Sequence, residues 1–543
     1  MGDKKMNIKR AKQEIKNTIQ VYLTKNEHEE YEIPSMRQRP VLLIGPPGIG
    51  KTQIMEQVAR ECGIGLVSYT ITHHTRQSAI GLPFISEKTY GEQNVHVTEY
   101  TMSEIVAAIY NKIEDTGLLE GLLFIDEINC VSETLAPAML QFLQYKTFGN
   151  HKIPDGWIIV AAGNPPEYNK SVREFDIATL DRIKKIDVEA DFEVWKEYAK
   201  QADIHPAILS FLTAKPQCFY QVETTVDGKI FATPRGWEDL SGFLKVCEKV
   251  DLTCDREGVV QYIEHPRIAK DFANYLELYK KYQARYQIDE VLEGKRNERL
   301  MEQAAKAPFD EKLSIISLIL AKLDVEFKAY VQKEAYLEVL FEELKAFKRS
   351  LEDKTEAGET AASREISQDP VKMQNTGNDA EKIDTVPQTQ TPVNIFAHQI
   401  ETFTAAAEQK QKAGLLTRQE KYRCADIAAD MNRYLQTVKA ELLSDGDEIF
   451  DRFRELFVEE RTELEDLCAH AGQTLEYAFD FMEGTFGSSQ EMVVFITELN
   501  SSAPAVRFLQ ENECERYFEY NKNLLFDERR ADILSRLDRL GAF

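Results

Sequence analysis

The sequence predicts an α/β fold, a parallel sheet with helices on both faces followed by all-helical regions, and three observations predict it. A short apolar run, Val41-Leu42-Leu43-Ile44, ends in the glycine-rich loop Gly45-Pro46-Pro47-Gly48-Ile49-Gly50-Lys51-Thr52 and opens into a helical pattern. A second apolar run, Leu122-Leu123-Phe124-Ile125, ends in Asp126-Glu127. Around them, short apolar runs alternate with helical stripes, as expected of buried parallel strands joined by crossover helices.

Each element follows in turn. Residues 8–23 place Ile8, Ala11, Ile15, Ile19 and Tyr22 on one helical stripe. Residues 41–44 form the first strand, and the helix after the loop covers 53–61. A second strand is expected over 66–71. Residues 72–100 read as an irregular insert, with turns at Gly81-Leu82-Pro83 and Tyr90-Gly91 and a hairpin arm at Val95-His96-Val97. A helix is expected from Ser103 to about Glu114, the strand 122–125 next, then a helix over 132–145 that tolerates Pro137 near its start. Residues 146–156, with Gly149-Asn150 and Pro154-Asp155-Gly156, read as a second hairpin. Strands at 157–162 and 183–188 complete the sheet.

Beyond residue 192 the pattern turns helical, interrupted at Thr233-Pro234-Arg235-Gly236-Trp237. The expected organisation is an N-terminal helix (1–35), a nucleotide-binding α/β domain (36–190), a helical lid (191–250), a helical region (251–350), a disordered linker (351–394) and a C-terminal helical region (395–543). The linker assignment rests on composition: without aromatic residues it buries too little surface to offset its ordering entropy.

Composition narrows the function classes. The chain has 543 residues, 43% of them hydrophobic, enough for about three or four domains with sizeable cores. Its net charge of −25 argues against duplex nucleic acid or an anionic membrane as the main partner, since both select cationic surfaces. No apolar run approaches a membrane span, and no apolar stretch follows the first residues as a secretory signal requires. The cysteines are scattered singly, without a C-x-x-C pair, as expected of reduced thiols in the cytoplasm.

The chemistry starts at the loop. Its glycines let consecutive backbone N–H groups turn toward a phosphate, and the following helix adds the positive end of its dipole. Residues Gly45, Pro46, Pro47, Gly48, Ile49, Gly50, Lys51, Thr52 and Gln53 are the expected nucleotide cradle. Lys51 is placed to reach the β- and γ-phosphates, and Thr52 to hold Mg²⁺. In a doubly wound sheet, strand ends and loop converge on one edge. Asp126 is then a second Mg²⁺ ligand, while Glu127 orients and deprotonates a water. Asn164, at the end of the next strand, is placed to hydrogen-bond that water or the γ-phosphate. Arg182 and Arg235 have no acidic residue four positions earlier to pair with on a helix, so each is available to phosphate charge.

Residues 45–52, 122–127, Gly163-Asn164-Pro165, Leu180-Asp181-Arg182 and Thr233-Pro234-Arg235 resemble, in order and spacing, the motifs of the AAA+ ATPases. The insert around Gly81-Leu82-Pro83 and the hairpin at 146–156 resemble the MoxR branch. The resemblance covers about residues 35–245. It implies a P-loop NTPase core with a helical lid, ATP and Mg²⁺ as cofactors, and ATP hydrolysis. By the same resemblance Asn164 is a first sensor, Arg235 a second sensor on the lid, and Arg182 an arginine finger acting on the adjacent subunit of a ring, usually a hexamer. Ile183 stands where the family often has Phe, and Arg173 is a second candidate for the finger. MoxR-like proteins generally work with partners carrying von Willebrand factor A domains, and their insert and hairpin are thought to face clients or the pore. Tyr90, Tyr100, Tyr145 and Phe148 are read first as packing residues and second as groups that grip a peptide.

Other patterns carry less. His73-His74 lacks a cysteine or carboxylate partner at ligand spacing. Asp445-Gly446-Asp447-Glu448 resembles the start of a calcium loop, but Phe450 stands where that loop needs glycine. Three functions compete: an ATP-driven remodelling machine acting on a protein client, a nucleic-acid motor, and a nucleotide-gated scaffold that does not hydrolyse. The charge balance disfavours the second. The joint presence of Glu127, Asn164 and Arg182 disfavours the third.

Overall fold

The computed structural model describes residues 5–522 except 74–75, 92, 149, 169–171, 173–174, 227 and 366–390. In chain order the strands up to residue 189 are β1 (Met6–Asn7), β2 (Val41–Ile44), β3 (Gly65–Thr70), β4 (Pro83–Tyr90), β5 (Gln93–Tyr100), β6 (Gly121–Asp126), β7 (Thr147–Phe148), β8 (His151–Lys152), β9 (Trp157–Gly163) and β10 (Lys184–Glu189). Six form one sheet in the order β1-β10-β2-β9-β6-β3, with every neighbouring pair parallel.

The apolar runs are strands because both of their faces are covered. Along β6, Leu122 and Phe124 point to the face occupied by the helices Ile8–Leu23 and Lys51–Cys62, where Ile15, Met55 and Val58 meet them. Leu123 and Ile125 point to the opposite face, against Ile105 and Ile109 of the helix Glu104–Thr116 and Met139 and Phe142 of the helix Ala136–Tyr145. The period-two alternation sends successive residues into two separate cores. Ile183, just before β10, is buried in the second of these.

The insert is more regular than expected. β4 and β5 form an antiparallel hairpin with Pro83 opposite Tyr100 and Tyr90 opposite Gln93. Much of it is exposed, Ile85 by 75%. The second hairpin, β7 with β8, is short, and Phe148 within it is buried, stacked on Phe142 at 3.9 Å between ring centroids. Tyr90 and Tyr145 are exposed, so packing accounts for Phe148 and not for those two.

Residues 191–250, expected as a helical lid, are not all helical. Helices Phe192–Gln201 and Pro206–Ala214 lead into an antiparallel hairpin, β11 (Gln221–Thr225) with β12 (Gly228–Ala232), before the helix Pro234–Lys249. The segment around Thr233 is therefore a helix start: the Thr233 hydroxyl caps the Gly236 N–H at 3.3 Å, and Pro234 occupies the first turn, where its missing N–H costs nothing. Trp195, Phe211, Phe219 and Trp237 anchor a core that continues without a break through Phe272 and Phe327 to Phe479 and Phe508. The helix Phe309–Glu365 runs out of this core into a second one, where Phe347 meets Phe396 and Phe453. Helix thus enters the expected 351–394 linker from both sides, up to Glu365 and from Pro392 onward, and residues 366–390 lie outside the described residues. Among the described residues no helix is long and apolar enough to cross a membrane.

Candidate active site

The carboxyl ends of β2, β6 and β9 meet at one edge of the sheet. The loop after β2 turns through Gly48 and Gly50, at φ +78° and +89°, values that only glycine adopts without strain. A Cβ on Gly48 would also lie 3.2 Å from Cβ of Thr233, because the start of the helix Pro234–Lys249 comes down on the loop there. The helix Lys51–Cys62 begins at Lys51, so its free N–H groups face the same space.

The Lys51 ammonium is buried and donates to Gly45 O (2.8 Å), Pro46 O (2.8 Å) and Asn164 Oδ1 (2.9 Å). Burial lowers its pKa to about 8. Arg235 pushes the same way, and Asp126 and Glu127 oppose both. The Thr52 hydroxyl donates to Asp126 Oδ2 at 3.0 Å, and the other oxygen of that carboxylate accepts the Glu127 N–H at 2.9 Å. Glu127 itself sits in the left-handed region (φ 56°, ψ 34°), a strained conformation for a side chain of its size. Its Oε2 accepts from the Thr72 hydroxyl at 3.0 Å.

Pro47, Gly48, Gly50, Lys51, Thr52, Gln53, Asp126, Glu127, Asn164 and Arg235 line one cavity of about 150 Å³. Of the other residues expected in the cradle, Gly45 and Pro46 contribute carbonyls to Lys51, and Ile49 lines a neighbouring cavity. That second cavity, of about 200 Å³, shares Gly48, Gly50, Gln53 and Glu238 with the first and is bordered by Ile8, Ile54, Val194 and Pro234. Arg182 stands apart. It is exposed, and its Nη1 donates to Gln144 Oε1 at 2.6 Å. Arg173 and His74 lie outside the described residues.

Three further residues belong to the site. Glu238, three positions after Arg235, accepts from Gln53 Nε2 (3.3 Å) and from the Tyr198 hydroxyl (2.8 Å), tying the helices Phe192–Gln201 and Pro234–Lys249 to the loop helix. Thr72 holds Glu127, and Asn129 holds the Asn164 carbonyl at 2.8 Å. Thr72, just past the end of β3, was findable because strand ends share that edge. Asn129 and Glu238 carried no sequence signal beyond proximity to Glu127 and Arg235.

Chemically, two cations (Lys51 and Arg235), three carboxylates (Asp126, Glu127 and Glu238), a hydroxyl and a row of backbone N–H groups converge on one small volume. Such a set suits a polyphosphate with a divalent cation better than a neutral or cationic ligand.

Residues 41–186 match the family described as AAA, "ATPase family associated with various cellular activities". No curated protein matches the chain. Among solved structures, two variants of RuvB from Thermotoga maritima align at 17% identity over 48% of this chain and 69% of that one, with TM-scores of 0.29 and 0.27. Overlap of that quality bears on no reading of function. With the loop and the strand order in place, the chain carries the AAA+ phosphate-loop fold, and its residues 41–186 match the AAA ATPase family.

Proposed function

We propose that this chain is an ATP-hydrolysing AAA+ remodelling ATPase of the MoxR-like kind, acting on a protein partner. The observation that carries the hydrolytic part is the 3.0 Å bond from the Thr52 hydroxyl to Asp126, in a cavity that also holds Lys51, Glu127, Asn164 and Arg235.

The donor set fits Mg²⁺, which takes hard oxygens and keeps water and phosphate in its shell. Thr52 Oγ1 and Asp126 would hold it, and when bound it neutralises charge on the β- and γ-phosphates. Lys51 binds the triphosphate as a desolvated cation. Its ammonium exchanges a bond to a protein oxygen for one to phosphate, and that gain is large because the group is buried. Asn164, held at Lys51, orients the attacking water, and Glu127 accepts its proton. Arg235 brings positive charge from the lid, so closure of the lid and stabilisation of the γ-phosphate are one event. The second cavity, walled by Ile8, Ile54 and Val194, is the place for the base.

The exposure of Arg182, outside this cavity, agrees with a role on a neighbouring subunit's nucleotide and so with a ring, in the simplest case a hexamer. The exposed β4–β5 hairpin is a surface for a protein client, and a von Willebrand factor A domain partner is the candidate that the MoxR resemblance suggests. The variant Glu127→Gln tests the reading: it is expected to bind ATP tightly and to lose hydrolysis. Hydrolysis at the wild-type rate in that variant would sink it.

A further inference from the structure

Asn129 lies on the short turn that follows Glu127, and it is only 5% exposed. Its Nδ2 donates to the main-chain carbonyl of Asn164 at 2.8 Å, across to the end of β9. Its Oδ1 is buried and has no hydrogen-bond partner among the described residues. Gly163 lies directly against this amide: a Cβ there would fall 2.5 Å from Oδ1, 2.7 Å from Cγ and 2.9 Å from Nδ2. No side chain larger than hydrogen fits at 163 while Asn129 keeps its place. A buried amide with one unsatisfied oxygen is a costly choice for packing alone, since an apolar residue of similar size would avoid the desolvation penalty.

The amide joins two parts that hydrolysis needs in register. On one side is Glu127, in a left-handed conformation that surrounding contacts must hold. The Cys130 N–H closes the same turn on the Glu127 carbonyl at 2.8 Å, leaving Asn129 at its centre. On the other side is Asn164, whose side chain accepts from Lys51. The chain of contacts runs from Lys51 to Asn164, through Asn129, to the strained turn that aims Glu127.

From this geometry we propose that Asn129 is a positioning residue that locks the Glu127 turn to the end of β9, so that the base and Asn164 meet the water as one rigid unit. It touches neither nucleotide nor water; it acts through Glu127 and Asn164. Gly163 is its steric counterpart. The inference rests on the hydrolytic reading given above, and it makes a residue outside the phosphate loop and the two carboxylates necessary for rate.

The test compares full-length wild type, Asn129→Ala, Asn129→Asp and Gly163→Ala in single-turnover hydrolysis, alongside nucleotide affinity. In Asn129→Ala the rate should fall roughly 10- to 100-fold, as expected for misplacing a reacting group by a fraction of an ångström, while affinity stays within about twofold. Gly163→Ala should show the same split, because its new methyl displaces Asn129. Asn129→Asp keeps the shape but loses the donor when ionised, and burial raises the pKa of such a carboxyl. Its deficit relative to wild type should therefore shrink as pH falls and the acid regains an O–H for the Asn164 carbonyl. A purely structural role would give a deficit independent of pH, and that result overturns the inference even if Asn129→Ala fails to fold. Undiminished hydrolysis in Asn129→Ala overturns it as well, with the hydrolytic reading intact. A wild type that binds ATP but never cleaves it overturns both.

Discussion

Lys51 makes the nucleotide affinity of this site depend on pH in a range where free phosphates no longer titrate. In the folded protein burial lowers its pKa to about 8, whereas a lysine beside a triphosphate is held charged well above that value. Binding above about pH 8 must therefore draw a proton from solvent, and affinity falls as pH rises. With the free-site pKa at about 8, the charged fraction drops from roughly three quarters at about pH 7.5 to about a tenth at about pH 9, so affinity should weaken about eightfold, or roughly 1.2 kcal/mol. The last ionisation of a phosphate, near pH 6, is already complete over this span. Titration of a fluorescent ATP analogue at constant ionic strength reads the effect directly. The variant Lys51→Arg, whose charge does not titrate here, should bind more weakly but with a flat profile. An unchanged dissociation constant in wild type between these two pH values would refute the reasoning, and so would an equal decline in Lys51→Arg.

Lys51→Ala should weaken nucleotide binding itself, measured by the same titration, because it removes the buried ammonium that donates to Gly45 O, Pro46 O and Asn164. Arg182→Ala should leave binding largely intact and lower turnover by ~10³ or more if it acts as a finger in trans. Mixing it with Glu127→Gln subunits should restore activity at interfaces that pair an intact arginine with an intact base, and no recovery at any mixing ratio counts against that assignment. Lys146, buried and bonded to Gln38 Oε1 at 3.1 Å and Trp157 O at 3.3 Å, has its pKa lowered by burial to about 8. Because the unfolded chain then holds the extra proton between about pH 8 and 10.4, stability rises with pH across that window. The stability of wild type relative to Lys146→Met should accordingly improve by about 2 kcal/mol between about pH 8 and 10 in chemical denaturation, and parallel curves for the two proteins would contradict this.

Much of the site was legible because its parts are local. The loop from Gly45 to Thr52 announces itself by glycine spacing, and β2, β6 and β9 by apolar runs too short for helices and too continuous for exposed strands. Asp126, Glu127 and Asn164 could be placed because they end such runs. What escaped was set by contacts between distant segments. β1 has two residues and exists only because Met6 pairs with Val188. β11 and β12 are short and polar, with Glu223, Thr224 and Lys229 facing solvent, so neither period shows clearly. Thr233-Pro234 read as a break because proline excludes helix interiors, but at a first turn the same residue starts a helix. Asn129 is an ordinary polar residue in sequence; only the parallel register that brings β6 and β9 to one edge makes it a partner of Asn164.

The proposed mechanism is tested most directly by where the triphosphate lies. A structure of the Glu127→Gln protein with ATP and Mg²⁺ is expected to show the phosphates along the backbone of residues 45–52, the ion on Thr52 Oγ1 and Asp126, and the γ-phosphate between Lys51 and Arg235. Phosphates bound elsewhere, or an ion held without Thr52 and Asp126, would contradict it.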